Sequence, residues 1–181
     1  MLELSLHILD VVENSLAAGA DLVEIGLIKD EAGDRLGLSV TDNGSGMPAD
    51  ILERVADPFY TTRVTRRVGL GLPLLKQAAE ACAGSFSIES AAGRGTSLTA
   101  EFRLTHLDRA PLGDMTGTLL TLIVGRAEVD FIYRQRTGQE EFVLDTREIK
   151  AALDGAPMSD PEVINFLREN LGEALALLGP I

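Results

Sequence analysis

Apolar residues crowd the stretch from Leu2 to Ala18 without a Gly or Pro, and Ile8, Leu9, Val11, Val12 and Leu16 would cover most of a helix surface. The pattern predicts a buried helix, stopped by Gly19. Two strand-like runs follow, Asp21 to Lys29 and Arg35 to Asp42. The turn-forming stretch Asp30 to Asp34 between them predicts a hairpin. Pro48 can open a second helix running to about Asp57. Beyond it, Pro58, Thr61, Thr62, Arg63, Arg66 and Arg67 read as a basic loop. A third helix is expected over Gly71 to Ala83, closed by Gly84. Strands Ser85 to Ser90 and Thr96 to Leu104 then flank the turn AAGRG.

After Leu104 the character changes. TGTLLTLIVG, EVDFIYRQR and EEFVLDT, the last two meeting around Thr137 and Gly138, read as further antiparallel strands able to extend the same sheet. The tail is expected to be a closing amphipathic helix. Ser159 or Asp160 is its cap, Pro161 its start, and Val163, Ile164, Leu167, Leu171, Leu175 and Leu178 its apolar stripe. The order of elements predicts an α+β fold. Residues 1–104 form one unit, and residues 105–181 are an extension of strands and a helix packed on it.

Composition narrows the function. A chain of 181 residues suits one domain, or one with an appendage, and no apolar run approaches the ~20 residues of a membrane helix. Sixteen Lys and Arg against 28 Asp and Glu give a net charge of −12, which opposes broad nucleic-acid binding. The single Cys82 excludes an internal disulfide and reads as inert packing. The opening MLELSLHILD lacks the basic stretch of a secretory signal, so a cytoplasmic location is expected.

Three groups of residues carry candidate chemistry. Asp10 and Asn14 lie four apart, on one face of an otherwise apolar helix. A carboxylate beside an amide can hold Mg²⁺ and orient a water, although a solvated polar face would read the same way. DNGSGMP, Asp42 to Pro48, ends an apolar strand. Asp42 can accept from an exocyclic amine such as adenine N6 while rejecting guanine O6, and Gly44 and Gly46 permit close approach to a flat ligand. A plain turn is the alternative. In VGLGLPLLKQ, Gly69 and Gly71 precede a helix whose N–H groups can receive phosphate. The basic cluster Thr61, Thr62, Arg63, Arg66 and Arg67 stands just before them in an acidic chain.

In this order the pieces resemble the gyrase, heat-shock chaperone, histidine-kinase and mismatch-repair ATPases, which share the Bergerat nucleotide-binding fold, a two-layer α/β sandwich. The resemblance covers Leu2 to about Leu104. DVVENSLAAGADLVEI is similar to the mismatch-repair version, whereas DPFYTT, VGLGLPLLKQ and IESAAGRGTSLTAEF are similar to histidine-kinase catalytic domains. No GxxxxGK[ST] pattern offers a Walker-type rival. The resemblance implies that Asn14 is a Mg²⁺ ligand, that Asp42 reads adenine with Thr96 beside it, that Gly44 and Gly46 shape the base pocket, and that Gly69 and Gly71 receive phosphate. Hydrolytic members carry a Glu where this chain has Asp10, which is then the expected base.

The resemblance also implies the cofactors ATP and Mg²⁺, with ATP or ADP bound. It leaves three activities open: phosphotransfer to a separate partner protein in the manner of anti-sigma-factor kinases, slow ATP hydrolysis, or a nucleotide-gated interaction module without chemistry. A homodimer is compatible with each. Arg66, Arg67 and Val68 stand where kinase lids usually carry another Gly, so the lid is short and basic. His7 does not fit a phosphoacceptor pattern. His106 opens HLDRAPL, which superficially resembles a histidine-kinase acceptor box, but the stretch also reads as a turn into the C-terminal elements.

Overall fold

The computed structural model describes residues 3–55 and 71–181. Helix α1 (Leu4–Ala17) leads into the hairpin of β1 (Leu22–Asp30) and β2 (Arg35–Asp42), in a register pairing Val23 with Asp42 and Asp30 with Arg35. The short α2 (Ala49–Leu52) and α3 (Gly71–Ala81) come next, followed by the hairpin of β3 (Ser85–Ser90) and β4 (Thr96–Arg103). Helix α4 (Met115–Gly125), β5 (Asp130–Thr137), β6 (Glu140–Asp145), α5 (Thr146–Ala152) and α6 (Pro161–Leu177) complete the chain. The six strands form one sheet in the order β3-β4-β2-β1-β5-β6, so the fold is the expected α+β type.

Alternation along the strands decides which sheet face is covered. Val23, Ile25 and Leu27 of β1, Leu36, Leu38 and Val40 of β2, and Leu98, Ala100 and Phe102 of β4 are buried and belong to one apolar cluster with Leu4, Ile8, Val11 and Val12 of α1. The intervening residues Ser39, Thr41, Ser97, Thr99 and Glu101 keep the other face polar. The cluster runs on through Phe131 and Tyr133 of β5 to Leu119 and Ile123 of α4 and to Leu167 and Leu171 of α6. Helix α1 packs against α3 and α4, and α4 packs against α6. The first backbone N–H groups of α1, which have no partner inside the helix, donate instead to the carbonyls of Pro111 (3.0 Å) and Leu112 (2.8 Å).

Three expectations need correction. TGTLLTLIVG is a helix, α4, rather than a strand. Its Asp114 cap accepts from the N–H of Gly117 at 2.8 Å. Topology accounts for it: β4 and β5 both run parallel to β1 but lie on opposite sides of the β1–β2 pair, so the chain must cross the sheet between them, as helical crossovers do. Accordingly β5 pairs with β1 in parallel and only β6 is antiparallel to its neighbour. The second helix is a single turn with no buried residue, opened by Pro48 as its cap and closed at Glu53. Helix α5, capped by the Asp145 carboxylate, was not anticipated, whereas the tail helix starts at Pro161 with Asp160 as cap.

Candidate functional site

Asp42 ends β2 on the covered face, where a carboxylate can be retained only if its oxygens are matched by donors. It is 9% exposed. Its Oδ1 accepts from the backbone N–H groups of Gly44 (2.9 Å) and Thr96 (3.2 Å), and its Oδ2 accepts from the hydroxyl of Ser15 at 2.6 Å. Three of the roughly four acceptor positions of a carboxylate are thereby used, leaving one on Oδ2. Thr96 is set by the pairing of β4 with β2, which places it opposite Asp42, and its hydroxyl lies 3.0 Å from that of Ser90.

The loop after Asp42 is wedged between two neighbours. Ser45 donates its N–H to the Ala18 carbonyl at the end of α1 (2.9 Å), and its own carbonyl accepts from Gly93 in the β3–β4 turn (2.7 Å). The Ser90 hydroxyl accepts from Met47 N–H and donates to the Gly95 carbonyl, both at 2.8 Å. Gly46 has φ +63°, and a side-chain carbon there would fall 2.0 Å from the Ala91 carbonyl oxygen. The clearance that Gly46 provides is therefore filled by the β3–β4 turn. A carbon on Gly44 would meet Ala18 at 3.0 Å and the Asp42 carboxylate at 3.1 Å. On the outer side, Asn43 Oδ1 accepts from the N–H groups of Asp21 and Leu22 at 3.0 Å, fixing the start of β1.

Helix α1 connects this point to a second one. Ser15 faces Asp42, Asn14 precedes it and is half-buried, and Asp10 lies about 7 Å further along the axis. Asp10 is exposed and touches the start of α3, where a carbon on Gly71 would lie 3.1 Å from its Cβ and 3.3 Å from its Oδ2. The structure thus places Asp42, Gly44 and Thr96 together at one end, Asp10 and Gly71 together at the other, and Asn14 between them on α1. Thr61, Thr62, Arg63, Arg66, Arg67 and Gly69 lie outside the described residues. Among the described residues no three His, Cys, Asp or Glu side chains are grouped as a metal cage.

Sequence reasoning missed Ser15 and Ser90. Ser15 carried a signal, since it occupies an apolar-stripe position with Ile8 and Val11, and a hydroxyl there requires a partner. His7 is buried with no hydrogen-bond partner for Nδ1 among the described residues, and burial lowers its pKa from 6.5 to about 4. His106 sits in a turn, its Nδ1 accepting from Asp108 N–H at 3.2 Å. Cys82 is buried, and burial pushes its thiol pKa up.

The chain is 36% identical over 99 residues to the sensor histidine kinase YxdK of Bacillus subtilis strain 168, a stretch covering 51% of this chain and 30% of that protein. It is 30% identical over 106 residues to the sensor histidine kinase ZraS of Escherichia coli K12, covering 59% and 23%. Both curated relatives are thus matched over less than a third of their own length. A solved structure described as the N-terminal domain of a DNA repair protein superposes with a TM-score of 0.56, at 16% identity, over 80% of this chain and 53% of that one, a likeness of fold. Residues 2–106, more than half of the chain, match the profile of the histidine kinase-, DNA gyrase B- and HSP90-like ATPases, and the chain belongs to that family.

Proposed function

We propose that the surface along α1 between Asp42 and Gly71 binds ATP or ADP together with Mg²⁺, and that the bound nucleotide serves phosphotransfer to a protein partner or slow hydrolysis. The buried Asp42 carboxylate carries this reading. Its position is fixed by three donors, and the acceptor site left on Oδ2 suits an exocyclic amine, so adenine is favoured over guanine. Asn14, on α1 between Asp42 and Asp10, would supply an amide oxygen to Mg²⁺. A single side-chain ligand suits an ion that takes its other ligands from phosphates and water. Mg²⁺ supplies charge neutralisation at the phosphates. The start of α3 at Gly71 offers backbone N–H groups and the positive end of the helix dipole. Asp10 beside it is placed to take a proton from water or from an acceptor group. The relatives named as sensor histidine kinases support phosphotransfer over hydrolysis alone.

Calorimetry with ATP, ADP and GTP in the presence of Mg²⁺ tests the reading. ATP should bind and GTP should bind at least about tenfold more weakly. Asp42→Ala should lose ~1.5–3 kcal/mol of ATP affinity, the worth of a charged hydrogen bond. Equal affinities for ATP and GTP, or undiminished binding in Asp42→Ala, would remove Asp42 from the base pocket. Nucleotide binding without label transfer from γ-labelled ATP or ADP release would leave a nucleotide-gated interaction module.

A further inference from the structure

The residues after β6 build a groove that goes beyond the proposed nucleotide site and does not depend on it. Ile149, Ala152, Leu153, Val163 and Phe166, on and beside α5 and α6, line a cleft of about 620 Å³. Phe166 is 58% exposed, a large apolar side chain held at the surface of a helix that buries Val163, Leu167 and Leu171 and that also exposes Leu177 at its far end. The charged residues at the groove are Glu148 and Glu162. Among the described residues, no Lys or Arg lines the groove. Over residues 146–181 three basic side chains face six acidic ones. Of the three, Arg147 is paired with Asp145 at 2.6 Å and Lys150 with Asp130 at 2.6 Å, away from the groove.

We propose that this groove docks an amphipathic helix of a partner protein, its apolar face seated on Phe166, Ile149 and Leu153 and its flanks basic. Helix-in-groove recognition lays the apolar face of an amphipathic helix into a hydrophobic groove of this kind. The acidic rim in a chain of net charge −12 selects the sign of the partner and disfavours a second copy of the same chain. Position adds to the case. Asp42 ends β2 at the sheet end where β1 and β5 begin, with Leu22 opposite Asp130, and where β6 ends at Asp145 directly before α5. Helix α5 therefore starts at the same end of the sheet as Asp42. Three strand spacings, about 14 Å, separate β2 from β6, so, on the proposed reading of Asp42, a partner seated there would have its neighbouring segments within reach of a bound nucleotide.

The test uses the full chain and a fluorescent peptide of about 18 residues, long enough to be helical, with Leu on one face and Lys on the rest. A twin peptide carries Glu in place of Lys. The Lys peptide should bind, the Glu peptide should bind at least about tenfold more weakly, and raising the salt should weaken binding. Phe166→Glu should weaken the Lys peptide by about tenfold or more although it adds a negative charge, and Phe166→Ser should weaken it in the same direction. Leu107→Ser, at a 96% exposed position in the β4–α4 connection, should leave binding unchanged. Unchanged or tighter binding in Phe166→Glu, with circular dichroism showing a native fold, would reduce the interaction to surface charge and overturn the proposal. Equal binding of the two peptides would also overturn it, as would a dimer in sedimentation that Phe166→Glu dissociates.

Discussion

His7 shows how a single side chain ties stability to pH. It is 2% exposed, its Nδ1 has no partner among the described residues, and its pKa is lowered by burial from 6.5 to about 4. The folded chain keeps the imidazole neutral, whereas the unfolded chain protonates it below about 6.5. The contribution is therefore fully present above that pH and is lost as pH falls toward 4, at up to about 1.4 kcal/mol per pH unit. Urea midpoints measured between pH 7 and pH 4.5 should fall, and His7→Leu should flatten the part of that slope due to this residue. An unchanged slope in His7→Leu would place the titration elsewhere. At the same scale Asp42 was legible, because a carboxylate that ends an apolar strand and precedes spaced glycines needs a special reason to be there. Its partner Ser15 was not singled out. A serine on a helix stripe gains meaning only once the residue facing it is known, and here that residue lies 27 positions away.

Among the elements, those with a marked local period or strong end signals could be read from the sequence. The β1–β2 hairpin, the β3–β4 hairpin and the capped α6 fall where alternation, turn residues and the Asp160–Pro161 start place them. Helix α4 could not be read this way. Its Thr, Leu, Ile and Val residues suit a strand, and a segment buried on most sides has no polar face to reveal a helical period. What fixes it is the crossover from β4 to β5, a property of the whole sheet. The β3–β4 turn beside Asp42 gives a sharper local test. Gly93 and Gly95 have φ +75° and +78°, but a side-chain carbon on Gly93 meets nothing within 4 Å whereas one on Gly95 would lie 1.9 Å from the Asp42 carbonyl oxygen. Gly93→Ala should cost only the left-handed backbone penalty of ~1–2 kcal/mol. Gly95→Ala should cost more, by at least ~1–2 kcal/mol in thermal unfolding, and should also weaken ATP binding, since relief of the clash moves the backbone of Asp42. Equal losses for the two variants would mean that the turn yields without disturbing the carboxylate.

For the whole molecule, the family match and the physical unit have different extents. The match ends at residue 106, yet β5 pairs with β1 along eight residue positions from Leu22 to Lys29, and Phe131, Tyr133, Leu119 and Leu171 share one apolar cluster with α1. A chain ending at residue 106 would leave β1 as an open edge carrying the alternating apolar residues Val23, Ile25 and Leu27, and would uncover the side of α1 against which α4 packs. The change of character after Leu104 is visible in sequence, but the pairing that joins the two parts is not, because parallel partners far apart along the chain leave no local signature. We expect the full chain to unfold in one cooperative transition, with amide protons of β1 and β5 exchanging at the same global free energy. The 1–106 fragment should lack a cooperative melt and should bind a hydrophobic dye, as a loosely packed state with exposed apolar surface does. Two separated transitions in the full chain, or a fragment with a sharp melt and native near-ultraviolet dichroism, would show instead that the first 106 residues fold alone. Residues 107–181 would then be an accessory carrying the α5–α6 groove, rather than part of the framework that fixes Asp42.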